Sequence, residues 1–122
     1  MSVETIEDGA WPLVKAGGEI DLSNIDELRS ACDAAIARSP KAFVIDLTDI
    51  SYIDSAGVAV VISAYRRVSK AGGVLAIVRP TSTAVRRVLD LIGLQSLPSV
   101  VVADDVESAR EGLSDVDAEP GV

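Results

Sequence analysis

Residues 43–61 read Phe43-Val44-Ile45-Asp46-Leu47-Thr48-Asp49-Ile50-Ser51-Tyr52-Ile53-Asp54-Ser55-Ala56-Gly57-Val58-Ala59-Val60-Val61. Phe43 to Leu47 is a β-branched run of near-continuous apolar character, which predicts a strand covered on both faces. Thr48 to Asp54 reads as a connector in which Ile50, Tyr52 and Ile53 remain apolar. After Asp54-Ser55-Ala56-Gly57 the period changes. Val58, Val61, Ile62, Tyr65 and Val68 recur at helical spacing and predict the buried stripe of a helix. Lys70 complements the dipole of its last turn, and Gly72-Gly73 stops it. A buried strand followed by an amphipathic helix is half of a β-α-β unit.

The same alternation extends outward in both directions. Downstream, Val74 to Val78 is a strand, and Thr81-Ser82-Thr83 opens a helix whose core face is Val85, Leu89 and Ile92. Gly93 suits the position just past that helix. Val100 to Val102 is a short last strand. Asp104 is expected to cap a final helix, with Glu107 three residues on and Val106, Ala109 and Leu113 facing inward. Upstream, Ile25, Leu28, Cys32 and Ile36 mark a helix entered at Ser23 or Asn24 and ended by Ser39-Pro40. Val3 to Ile6 and Trp11 to Ala16 read as a hairpin around Glu7-Asp8-Gly9-Ala10. Gly17-Gly18 breaks the second strand before Glu19-Ile20-Asp21 resumes it. The expected fold is α/β: a mixed, mostly parallel central sheet with an N-terminal hairpin and about four helices. Residues 1–113 form a single domain in this reading, and 114–122 a flexible acidic tail.

Composition narrows the function. At 122 residues the chain fits one domain with a real core. Hydrophobic residues are 48% but aromatics only 3%, so Val, Ala, Ile and Leu build that core. A net charge of −8 repels phosphate backbones and anionic lipid, which argues against nucleic-acid or membrane binding. There is no histidine, which removes Ser-His-Asp and Cys-His catalysis and His-ligated metal sites. Cys32 is the single cysteine, so no internal disulfide forms. No signal peptide or 18-residue apolar span is evident. The expectation is a cytoplasmic, non-enzymatic domain with no catalytic residues, metal or cofactor.

Three places offer chemistry. Ser55 stands where a connector meets a helix, where unpaired amides and the dipole favour negative charge. By spacing alone, Asp54 or Ser55 is either an N-cap or part of a modification site. A phosphate on Ser55 is expected to be tolerated by that helix end. Gly18-Glu19-Ile20-Asp21 places two acids where a strand ends, either as turn chemistry or as a carboxylate pair. Asp46 sits in an apolar strand. It lacks the acid pair after the first strand that a receiver-type phosphoacceptor needs, and is expected to bond to neighbouring loop backbone. No P-loop is present, and Arg86-Arg87 is too small a basic spot for nucleic acid.

Taken in order, several of these segments resemble a known family, the STAS domain, and specifically the stand-alone bacterial anti-sigma factor antagonists. The resemblance runs from about Val14 to Ala109. It rests on Gly18-Glu19-Ile20-Asp21, Val44-Ile45-Asp46-Leu47, Ile53-Asp54-Ser55-Ala56-Gly57-Val58, Gly72-Gly73, Ala84-Val85-Arg86-Arg87-Val88-Leu89 and Gly93-Leu94. It implies a partner-switching protein. The unphosphorylated form binds an anti-sigma factor that is also a serine kinase, and the sigma factor is released. Phosphorylation of Ser55 ends that binding, and a serine phosphatase restores it. The resemblance also implies that Asp21 takes part in kinase recognition and that Asp54 is the acid preceding the phosphoacceptor. The expected partner surface is Asp21, Asp54, Ala56, Gly57, Val58, Ala59 and Val60, on a chain that is a monomer when free. The alternative is a STAS scaffold or ligand-sensing module within a larger stress-signalling complex.

Overall fold

The computed structural model describes residues 1–6, 11–38 and 40–118. Among them are five strands and four α-helices in the order β1 (Ser2–Ile6), β2 (Leu13–Ile20), α1 (Ile25–Ile36), β3 (Ala42–Ile53), α2 (Ser55–Lys70), β4 (Val74–Val78), α3 (Thr83–Ile92), β5 (Val100–Ala103) and α4 (Val106–Ala118). A single 3-10 turn, Leu94–Ser96, joins α3 to β5. The sheet runs β1-β2-β3-β4-β5. Only β1 is antiparallel, paired to β2 from Ser2↔Gly17 to Ile6↔Leu13, and the remaining pairs are parallel. The hairpin is therefore present, while its expected turn at 7–10 lies outside the described residues, as does Ser39.

Parallel neighbours need a crossover between them, and helices supply it. Helices α1, α2 and α3 cover one face of the sheet. There Leu28, Cys32, Val61, Ala64, Val85 and Leu89 pack on Val14, Phe43, Ile45, Leu75 and Ile77. Helix α4 covers the other face, where Ala109 and Leu113 meet Leu13, Val44, Ala76 and Val78, with Trp11 at the margin. Strand β3 alternates between these two cores, so Ala42 to Leu47 is buried without interruption. Among the described residues no helix is long and apolar enough to cross a membrane.

Four expectations need correction. Thr48 to Ile53 is strand, because β2 continues beside it, with Gly17↔Asp49, Gly18↔Ile50 and Ile20↔Ile53 in register. Gly17-Gly18 does not interrupt β2. It forms a bulge, with Gly18 at φ +84°, that shifts the register and lets the strand go on. The cap of α4 is Asp105, whose Oδ1 accepts from Ser108 N at 2.7 Å. Asp104 instead pairs with Arg79 and Arg86, whose guanidiniums hold its carboxyl below the usual carboxylate range. Finally, the expected boundary at 113/114 falls inside α4, which runs to Ala118. Ser114 to Ala118 contains no proline or glycine to break a helix.

The register places the functional end. Strand β4 pairs with β3 only as far as Asp46↔Val78, so the last turns of β2 and β3 rise past the rest of the sheet. The turn after β2 and the start of α2 therefore stand together on that raised corner.

Candidate functional site

Asp54 organises the corner. It lies at the N-cap of α2 in extended conformation, and its Oδ1 accepts from Ala56 N at 2.9 Å and Gly57 N at 3.1 Å. Its other oxygen, Oδ2, accepts from Leu22 N at 3.1 Å, and its own amide donates to Ile20 O at 3.2 Å. One carboxylate thus closes the helix and pins the turn between β2 and α1. Asp54, not Ser55, is the cap. Ser55 occupies the first turn of α2 and is exposed.

This changes the electrostatics expected at Ser55. Two of the amides open to a phosphate, those of Ala56 and Gly57, are already taken by Asp54. A phosphate on Ser55 would add about −1.5 to −2 charges beside the Asp54 side chain. The helix end therefore offers less relief than expected from its dipole alone, and the charge is presented outward.

Asp21 sits in the neighbouring turn. Its Oδ1 accepts from the Ser23 hydroxyl and from Ser23 N at 2.9 Å. The Ser23 hydroxyl bond foremost holds the Asp21 carboxyl below the usual carboxylate range, against the opposing effect of desolvation and with help from backbone hydrogen bonds. Asn24 stands at the N-cap position of α1 without a capping side-chain bond. Its side chain ties the turn instead, Oδ1 accepting from Asp21 N at 3.0 Å and Nδ2 donating to Glu19 O at 2.9 Å. Asp21 is thus part of a self-bonded turn. Among the described residues, no group of three or more His, Cys, Asp or Glu side chains is placed to hold a metal ion.

The expected partner surface divides in two. Ala59 is exposed, and Ala56 and Val58 are half-buried. Gly57 and Val60 are buried and belong to the core stripe Gly57, Val60, Val61, Ala64 and Val68. Val61 and Val68 of the predicted stripe are buried, but Val58, Ile62 and Tyr65 are only half-buried, and Gly57, Val60 and Ala64 join the core instead because α2 leans on Ile20 and Ile53 through Gly57. A Cβ there would come within 2.6 Å of Ile53 and 2.8 Å of Ile20. Gly57 and Val60 are hence removed from the exposed surface.

Asp46 is 4% exposed and accepts from Thr48 N at 2.9 Å and from the Thr48 hydroxyl, a local bond to a neighbour two residues on, which lies within β3 rather than in the expected loop. Beside Ala59, α1 and α2 leave a groove of about 410 Å³ lined by Arg29, Cys32, Asp33, Ser63 and Arg67. Arg67 and Asp33 form an ion pair across it. Sequence reading missed Leu22, which is 77% exposed on the pinned turn. The available signal was an apolar residue between two capping-type residues, Asp21 and Ser23, off the helical stripe.

Compared with known proteins, residues 2–109 match the STAS domain. The chain is 31% identical to an anti-sigma F factor antagonist of Paenibacillus polymyxa over 83 residues, 67% of this chain and 70% of that protein. It is 26% identical to an anti-sigma-B factor antagonist of Staphylococcus epidermidis over 107 residues, 88% of this chain and 98% of that protein. Among solved structures, an anti-sigma factor antagonist from Mycobacterium paratuberculosis superposes with a TM-score of 0.79 at 27% identity, covering 91% of this chain and 92% of that one.

Proposed function

The chain belongs to the STAS domain family, and we propose that it acts as an anti-sigma factor antagonist switched by phosphorylation at Ser55. In this reading the unphosphorylated protein works in the cytoplasm. It binds an anti-sigma factor with serine kinase activity and so releases a sigma factor. The kinase transfers the γ-phosphoryl group of ATP to Ser55 Oγ. The new P–O bond forms as the bond to the β-phosphate breaks, ADP leaves, and the hydroxyl proton passes to a base on the kinase. A serine phosphatase hydrolyses the ester and resets the protein. The chain itself supplies no catalytic group.

One observation carries this reading: Asp54 performs the capping, which leaves Ser55 exposed and its hydroxyl unused in closing the helix. The other supports are the acids Asp21 and Asp54 on the same corner, and the small exposed Ala59 one turn along α2. A phosphate placed there puts bulk and charge where a partner would close on the surface. Loss of about 3 kcal/mol of binding weakens affinity about 150-fold, with no refolding needed.

The test is capture from native lysate with wild-type, Ser55→Ala and Ser55→Asp baits, read by mass spectrometry. The proposal expects an anti-sigma factor kinase on wild type and Ser55→Ala and not on Ser55→Asp. Phosphopeptide mapping after incubation with that kinase and ATP should find the phosphate on Ser55. Capture of the same proteins by all three baits, with no phosphate on Ser55, would overturn the switch in favour of a scaffold or ligand-sensing module.

A further inference from the structure

The turn at residues 21–24 is locked by its own polar groups. Asp21 N donates to Asn24 Oδ1, Ser23 N to Asp21 Oδ1, and Asn24 N to Asp21 O at 3.1 Å. The remaining amide, that of Leu22, reaches out of the turn to Asp54 Oδ2. Consecutive amides all held in this way leave the turn one geometry, and that geometry points Leu22 into solvent at 77% exposure. A single exposed leucine is ordinary. This one is set apart by its fixing: the carboxylate that caps the Ser55 helix also holds the Leu22 backbone. Its nearest neighbours are acidic, with Asp21 and Asp54 beside it, and the first turn of α1 adds Glu27 and an Asp26 that is paired with Arg29.

Resting on the reading of Ser55 as the switch, we propose that Leu22 is the apolar anchor by which this chain grips its anti-sigma factor, and that Asp54 positions it. The partner's matching feature is an apolar pocket with basic side chains at its rim, since Asp21 and Asp54 flank the leucine. A rigid tip needs no ordering on binding, so its burial converts to affinity with little loss. Complementary charge around it selects the partner and speeds the encounter. Asp54 is a positioning residue here. It touches Leu22 through the backbone and the Ser55 helix through its cap, so a change at one is felt at the other.

The experiment titrates wild type, Leu22→Ala, Leu22→Asp and Leu22→Met against the purified anti-sigma factor captured by the wild-type chain. Far-UV CD of each variant should be unchanged, because Leu22 packs on little. Leu22→Ala should weaken affinity about 10- to 100-fold, Leu22→Asp should weaken it further, and Leu22→Met should bind close to wild type. Asp54→Asn keeps one oxygen for the helix cap but turns an NH₂ toward Leu22 N. In the free protein it should speed hydrogen exchange at the Leu22 amide, and it should weaken binding. Leu22→Ala binding within twofold of wild type overturns the anchor. Unchanged Leu22 exchange in Asp54→Asn overturns the positioning role. Failure of the wild-type chain to bind any anti-sigma factor overturns the functional reading itself, and the anchor with it, before any variant is compared.

Discussion

Replacing Gly57 with alanine should destabilise the protein even though alanine is the better helix former. Helix propensity alone favours Gly57→Ala by about 1 kcal/mol. The new methyl, however, would lie 2.6 Å from Ile53 Cγ1 and 2.8 Å from Ile20 Cγ2. Carbon atoms in good contact sit about 3.5–4.0 Å apart, so each approach is too close by roughly 1 Å. The isoleucines have little room to retreat. Both are buried, on the paired ends of β2 and β3, and the clashing atoms branch directly from Cβ, where χ1 is stiff. Overpacking of this kind costs about 1–3 kcal/mol. With two clashes the upper half of that range applies, and the net loss is about 1–2 kcal/mol after the propensity gain. Urea denaturation followed by far-UV CD measures it. Ile53→Ala removes one clashing atom, so the double-mutant cycle should show a favourable coupling of about 1 kcal/mol. A Gly57→Ala protein as stable as wild type, with no coupling to Ile53, would refute close helix–sheet contact as the reason for glycine.

Ala59→Glu should abolish binding of the anti-sigma factor while leaving far-UV CD intact, since Ala59 is exposed beside Ser55 on α2; unchanged affinity in the folded variant would remove Ala59 from the interface. Leu28→Ala, at 0% exposure between α1 and the sheet, should cost about 2–5 kcal/mol in urea melts. Burial pushes the Cys32 thiol up to about 12, so native Cys32 should resist iodoacetamide at pH 8 and react only as urea unfolds the chain. Because that pKa is raised on folding, its contribution to stability is full below the unfolded thiol's ordinary value and is lost as pH rises toward 12. Asp21 shows the opposite sign. Its lowered carboxyl pKa contributes stability above the unfolded carboxylate range that is lost only as pH falls through the lower folded value. Partner binding that depends on Asp21 should therefore be flat between pH 7 and pH 5.

Much of the fold was legible because local signals agree with the tertiary result. The covered strand at Phe43–Leu47, the stripe Leu28 and Cys32, the opening of α3 within Thr81-Ser82-Thr83 and Gly93 at its end each follow from spacing or backbone geometry. Less of the site was legible. Asp54-Ser55-Ala56-Gly57 marked the right helix start, but its residues separate by direction: Ser55 outward, Gly57 into Ile20 and Ile53. A helical period identifies a stripe only to within one position, and which neighbour occupies the core depends on how closely the helix approaches the sheet.

By itself, the sequence determined the alternation of strands and helices, the acidic and histidine-free surface, and the serine at a helix start, because each depends on residue type or near-neighbour spacing. The tertiary structure alone decided that β3 runs on to Ile53, since its strand character there comes from β2 across a glycine bulge. It also decided that Asp54 joins the start of α2 to the turn after β2, 32 residues away, and that Leu22 stands out from that turn. Those facts come from hydrogen bonds between distant segments, which exist only once chain closure has brought the ends of β2 and β3 together.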